Sequence, residues 1–174
     1  MKKLVMILLM MILTTGAAQA VEKIGVWKEM PITVYIEESR RDYLMKKAFG
    51  DWESASNKVV EFEYVDSPED AQIVVTFTDK VSDVSENAVG LTYPYVDKNG
   101  YFTGAKIVIA KYSDSQTIKM TNHQLMKIMR HEIGHAIGLD HTNSPNSIMN
   151  TTTNKCLDIS KDDIKLLKTI YGAN

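Results

Sequence analysis

Three of the chain's four histidines stand at positions 131, 135 and 141, in the order His-Glu-x-x-His-x-x-Gly-x-x-His. This spacing constrains the fold more than any other feature. Residues four apart share one face of an α-helix, so His131 and His135 can aim at one point if their segment is helical. His141 joins them only if the chain leaves the helix and turns back. Gly138 stands where that exit is needed, and glycine tolerates the positive φ of a helix C-terminal turn. Thr121 with Gln124 makes a capping box that opens the helix. Leu125, Ile128, Met129 and Ile133 give it an apolar face. The spacing thus predicts a helix from Thr121 that ends at Gly138, followed by a chain that doubles back.

Three converging imidazoles suit one zinc ion. Zinc takes neutral imidazole nitrogen readily, and catalytic sites combine three protein ligands with an open position for water. Glu132, beside the first ligand, can bring its carboxylate to that water, as a general base must. The sequence therefore assigns His131, His135 and His141 as metal ligands and Glu132 as the catalytic residue. The competing reading is a surface helix with incidental histidines. A joint match of three histidines, one glutamate and one glycine disfavours it. His123, near the helix start, is expected in a surface or capping role rather than as a metal ligand. Asp140 is expected to be exposed, with orientation of a histidine as the alternative.

The rest of the sequence fits a single α+β domain over residues 21–174. Lys2 and Lys3, the apolar run 4–13 and the small-x-small site Ala18-Gln19-Ala20 read as a secretory signal peptide over residues 1–20. Cleavage is expected after Ala20, leaving a secreted or periplasmic protein without a membrane anchor. A formal charge of −2 gives no reason to expect nucleic acid or an anionic membrane as partner. Cys156 is the single cysteine, so no intramolecular disulfide can form, and a buried or partly buried thiol is expected. Strands are expected over Ile32–Ile36, 59–65, Ile73–Thr78, 91–95 and 106–110. Ser39 with Asp42 signals a helix that runs on Leu44, Ala48 and Trp52 to about Ser56. A last helix starts at Ser160, paired with Asp163, and stops at Gly172. Residues 79–87 read as a polar loop and Asn99-Gly100 as a turn. Lys161, Asp162, Asp163, Lys165 and Lys168 read as a solvated helix face. Strand, helix, several strands and two helices, in that order, predict an α+β fold with a mixed sheet.

The histidine pattern resembles the metzincin zinc signature, and Ser147-Ile148-Met149 resembles the Met-turn that follows it. Three further stretches resemble the matrixin catalytic domain: Ala48-Phe49-Gly50-Asp51-Trp52, Asp70-Ala71-Gln72-Ile73, and Ser160-Lys161-Asp162-Asp163-Ile164 ending at Tyr171-Gly172. The resemblance implies the metzincin fold, a mixed twisted sheet with an active-site helix and a C-terminal helix. It places Met149 beneath the histidines without ligating. It implies a zinc-dependent endopeptidase with one catalytic Zn2+, and a peptide substrate bound as an extended strand along a cleft edge at 106–110. Lys127, one turn before His131, would approach the pocket beside the scissile bond. Residues 79–110 hold no histidine, so the second, structural zinc of animal matrixins is not expected. Asp83, Glu86, Asp97 and Asn99 are oxygen-bearing candidates for calcium, but solvated loop is the better expectation. Thr151 stands where a tyrosine ligand of the astacin or serralysin kind would be. No cysteine-switch propeptide is expected, and the protein is expected to be a monomer.

In the mechanism this implies, Glu132 accepts a proton from water polarised by zinc and delivers it to the leaving amine. Two alternatives stand beside it. One is a secreted zinc-binding interaction module without turnover, which would be expected to have lost Glu132 first. The other is a hydrolase of a different amide, against which Gly138, His141 and Met149 argue together.

Overall fold

The computed structural model describes residues 23–79, 89–110, 120–151 and 156–173. The predicted signal peptide, residues 80–87 of the polar loop, Asp83 and Glu86 lie outside these residues.

β1 (Ile32–Ile36), β3 (Ile73–Thr78) and β5 (Phe102–Ala110) are β-branched runs whose buried residues alternate. Ile32 and Val34, Ile73, Val75 and Phe77, and Ala105, Ile107 and Ile109 enter one core. Five strands form one sheet in the order β2-β1-β3-β5-β4. β2 (Phe62–Tyr64), β1, β3 and β5 pair in parallel, and β4 (Gly90–Val96) pairs antiparallel with β5. Helices α1 (Asp42–Ser56) and α2 (Asn122–Ala136) add Leu44, Phe49, Trp52, Leu125, Met129 and Ile133 to the same core, and α3 (Lys161–Tyr171) adds Leu167. The fold is α+β with a mixed sheet.

Several boundaries shift for local reasons. α1 is capped by Arg41 without a side-chain bond. Ser39 serves the turn before it, its hydroxyl accepting from Arg41 N at 3.4 Å. At the other end Asn57 and Lys58 take positive φ values of 54° and 64°, and their N–H groups bond back to Ser54 O and Glu53 O. The chain is still turning there, so the strand expected at 59–65 shrinks to Phe62–Tyr64, while Val60 is buried before the ladder starts. The 91–95 and 106–110 strands lengthen into a hairpin closed by Asp97, whose Oδ1 accepts from Asn99 N at 2.8 Å and Tyr101 N at 3.0 Å. Those backbone donors, Tyr101 first, hold the Asp97 carboxyl below its usual range. Its carboxylate belongs to the turn.

One expectation is overturned. Residues 106–110 are not the sheet edge, because β5 is paired on both sides, with β3 and β4. The edge strand on this side of the sheet is β4, which pairs antiparallel with β5 and ends outermost, opposite the other edge at β2.

The two tryptophans fix α2 in place. Trp52 Nε1 donates to Arg130 O and Trp27 Nε1 to Ala136 O, both at 2.9 Å. The Arg130 guanidinium binds Asp51 Oδ2 at 2.7 and 3.0 Å, Leu157 O at 2.8 Å and Asp158 Oδ1 at 2.7 Å. It thereby joins α1, α2 and the segment that leads into α3.

Candidate metal centre

Thr121 caps α2 with the full box: its hydroxyl accepts from Gln124 N, and Gln124 Oε1 accepts from Thr121 N at 2.9 Å. The helix stops at Ala136, and Leu139 N returns to Gly134 O at 2.9 Å. Gly138 has φ +108°, and a Cβ there would lie 2.2 Å from Gly25 O. Glycine is needed for both the conformation and the close approach. The turn carries His141 back over the helix end.

Nε2 of His135 lies 3.2 Å from Nε2 of His131 and 3.0 Å from that of His141, and the third separation is 3.3 Å. Nitrogens on a tetrahedral zinc at 2.0–2.1 Å would be about 3.3–3.4 Å apart. The other ring nitrogens are committed. His131 Nδ1–H donates to Ile148 O at 2.8 Å and His135 Nδ1–H to Leu139 O at 2.9 Å. With the proton on Nδ1, Nε2 turns a lone pair inward. Lone pairs this close repel one another, and a shared cation satisfies them together. Burial lowers the pKa of His131 and pushes that of His135 down to about 4, favouring the neutral form that ligates. The donor set fits zinc. Among the described residues, no other group of three or more His, Cys, Asp or Glu converges in this way.

The loop after the turn completes the support. Met149 is fully buried, and a Cβ on Gly134 would fall 2.3 Å from its Sδ. Gly134 therefore admits Met149 beneath the helical turn that carries His131 and His135. Asp163 corrects the reading of α3 as a uniformly solvated face. Asp163 is 2% exposed, and its carboxylate accepts from the Ser147 hydroxyl, from Ile148 N at 3.0 Å, and from Ser160 N at 2.8 Å. It caps α3 and holds the segment whose Ile148 carbonyl orients His131. The Ser160–Asp163 capping box was readable in the sequence; the contact with Ser147, sixteen residues away, was not.

Glu132 is 6% exposed. Thr92 Oγ1 lies 2.8 Å from Glu132 Oε2 and 2.9 Å from Glu132 O. A Cβ on Gly90 would stand 2.7 Å from Glu132 Oε1. β4 thus grips the carboxylate between a hydroxyl and a bare Cα. Burial raises the Glu132 pKa to about 7, with the Thr92 bond opposing the shift. The three histidines and Glu132 share a cleft of about 330 Å³ with Ile24 and with Gly90, Leu91, Thr92 and Pro94 of β4. Thr92, Gly90 and Ile24 were not legible in the sequence, because strand β4 brings the first two to the helix and the bond from Ile24 N to Gly138 O brings the third.

Three other residues singled out in the sequence stand outside the converging set. His123 is exposed in the first turn of α2. Asp140 is exposed, and its Oδ1 accepts from His141 N at 2.6 Å. Cys156 is half-buried with its Sγ 2.9 Å from Asn146 O, and burial pushes its thiol pKa up.

Comparison with known proteins agrees with this geometry. The chain is 40% identical over 62 residues to macrophage metalloelastase of Oryctolagus cuniculus, covering 33% of this chain and 13% of that protein. It is 27% identical over 128 residues to a probable matrix metalloproteinase, 095L, of Invertebrate iridescent virus 3, covering 70% of this chain and 35% of that protein. It is 28% identical over 140 residues to macrophage metalloelastase of Rattus norvegicus, covering 76% and 29%. The chain therefore spans about a third or less of the length of these relatives. The matrixin family profile matches residues 26–172, from just before the first tryptophan to the glycine that caps α3. Two imidazoles from α2 and one from the chain beyond its end, a methionine beneath them and this profile over most of the chain's length together show that the chain belongs to the matrixin family.

Proposed function

We propose that the protein is a secreted zinc metalloendopeptidase whose catalytic domain occupies residues 21–174. The observation that carries this reading is the burial of Glu132 in the same cleft as the three inward-facing imidazoles. His131, His135 and His141 would hold one zinc ion. Bound there, zinc would supply Lewis-acid polarisation of a water and of the scissile carbonyl. Glu132 is the general base. Thr92 holds Oε2, leaving Oε1 to take the proton of the attacking water and pass it to the leaving nitrogen. A carboxyl with a pKa of about 7 can do both near neutral pH. The peptide would lie extended along β4, the free edge beside the cleft.

Export is proposed from the signal-peptide pattern of residues 1–20, with a mature N-terminus at Val21. No helix among the described residues is long and apolar enough to cross a membrane. The mature protein would act as a monomer, without nucleic acid as a partner.

Metal analysis joined to a peptide assay tests the proposal. The mature protein should carry one zinc per chain, lose cleavage of a mixed quenched-peptide library on chelation and regain it with zinc. Two tightly bound zinc ions per chain would overturn the single-site reading. Undiminished cleavage by fully stripped protein would overturn the metallopeptidase reading.

A further inference from the structure

The edge strand β4 carries a proline in its exposed half, and nearby hydrogen bonds fix which way its backbone faces. Ala110 N donates to Val89 O at 2.9 Å, so residues 89 and 110 are a bonded pair of the antiparallel ladder. Bonded and non-bonded pairs alternate in such a ladder. Through the register Leu91↔Val108, Thr92↔Ile107, Tyr93↔Lys106 and Pro94↔Ala105, residues 91 and 93 bond to β5, while Gly90, Thr92 and Pro94 turn N and C=O outward. Ala105 gives the same phase from the other side, since its N–H donates to Gln72 O at 2.9 Å, towards β3. Pro94 therefore costs the sheet no ladder bond, the setting in which strands tolerate proline.

The same outward row borders the candidate metal centre. Gly90 and Thr92 sit against Glu132, and Pro94 also lines the cleft. The edge offers a donor and an acceptor at Gly90, a donor and an acceptor at Thr92, and an acceptor alone at Pro94. Outward residues repeat about every 7 Å along a strand. Pro94 thus meets an added strand two residues away from the point met by Thr92. Beyond it the register shifts between Tyr95 and Val96, which breaks the regular edge.

We propose that Pro94 sets the length of substrate backbone that this edge can hold. The proposal rests on the peptidase reading and adds a specificity rule to it. On the side of the scissile bond that faces Pro94, full backbone pairing stops at Thr92. Substrates are then short extended stretches, and lengthening them on that side adds little.

Two peptide series test this, each grown one residue at a time from a cleaved core, one at its N-terminal end and one at its C-terminal end. They are assayed with zinc-loaded wild type, Pro94→Ala and Pro94→Ser. In one series only, the step that reaches position 94 should raise kcat/KM about two- to tenfold more in both variants than in wild type, the worth of one backbone hydrogen bond. Equal steps in all three proteins would overturn the proposal. So would variants that dimerise on gel filtration with no change in the step, which would make Pro94 a guard against edge-to-edge pairing. If no zinc-loaded protein cleaves any peptide, the peptidase reading fails and this proposal fails with it.

Discussion

At the scale of single residues, Glu132 carries the heaviest demands. Its carboxylate is buried against β4, with Thr92 on one oxygen and the bare Cα of Gly90 beside the other. Thr92→Val should lower kcat about ten- to a hundredfold with little change in KM, since a hydrogen bond to a charged group is worth about 1.5–3 kcal/mol. Thr92→Ser should restore most of the rate, and kinetics of the three proteins on one peptide check this. A second prediction concerns pH. Glu132 has an ordinary pKa of 4.5 and a folded value of about 7, so the folded state favours its protonated form. Its contribution to stability is fully present below about 4.5 and is lost as pH rises through about 7. Glutamine cannot ionise. In zinc-free protein the Tm of Glu132→Gln minus that of wild type should therefore rise from about pH 5 to about pH 8. A flat difference across that range would mean that the carboxyl is not buried as described.

Among the secondary-structure elements, legibility tracked how local the deciding contact is. Thr121 with Gln124 and Ser160 with Asp163 form the capping boxes that their spacing predicts. Ser39 with Asp42 shows the same spacing, yet Arg41 is the last non-helical residue, so the serine hydroxyl serves the preceding turn. The core faces of α1 and α2 could be read from helical periodicity, and β1 and β3 from their β-branched runs. The sheet edge could not, because strand order is set by pairing between distant segments, and β4 rather than β5 ends outermost. Asp163 teaches the same point: its charge pattern matches its solvated neighbours, and only the fold brings Ser147 and Ile148 to it. Gly50 offers a test of the helix itself. It sits inside α1, and a Cβ there would meet nothing within 4 Å. Gly50→Ala should stabilise the protein by about 0.5–1 kcal/mol, a rise of about 1–4 °C in Tm. A lower melting temperature would contradict the open surroundings described.

The whole molecule is organised around the end of α2. The bridge between Lys23 and Leu139 and the bond from Ile24 N to Gly138 O, at 3.0 Å, lay the start of the described chain across the turn that carries His141. Tyr171, the last residue of α3, reaches the same place: its hydroxyl donates to Ile137 O at 3.1 Å and accepts from Trp27 N at 3.4 Å. Asp163 at the other end of α3 holds the segment that orients His131. The three imidazoles thus depend on contacts from both ends of the domain, and the His-Glu-x-x-His-x-x-Gly-x-x-His spacing pointed to the imidazoles but not to these supports. The most direct test of the account is peptide cleavage by wild type and Glu132→Ala at equal zinc content. The account predicts cleavage by wild type and its near-complete loss in the variant with one zinc still bound. A zinc-loaded variant that cleaves as fast as wild type would contradict it.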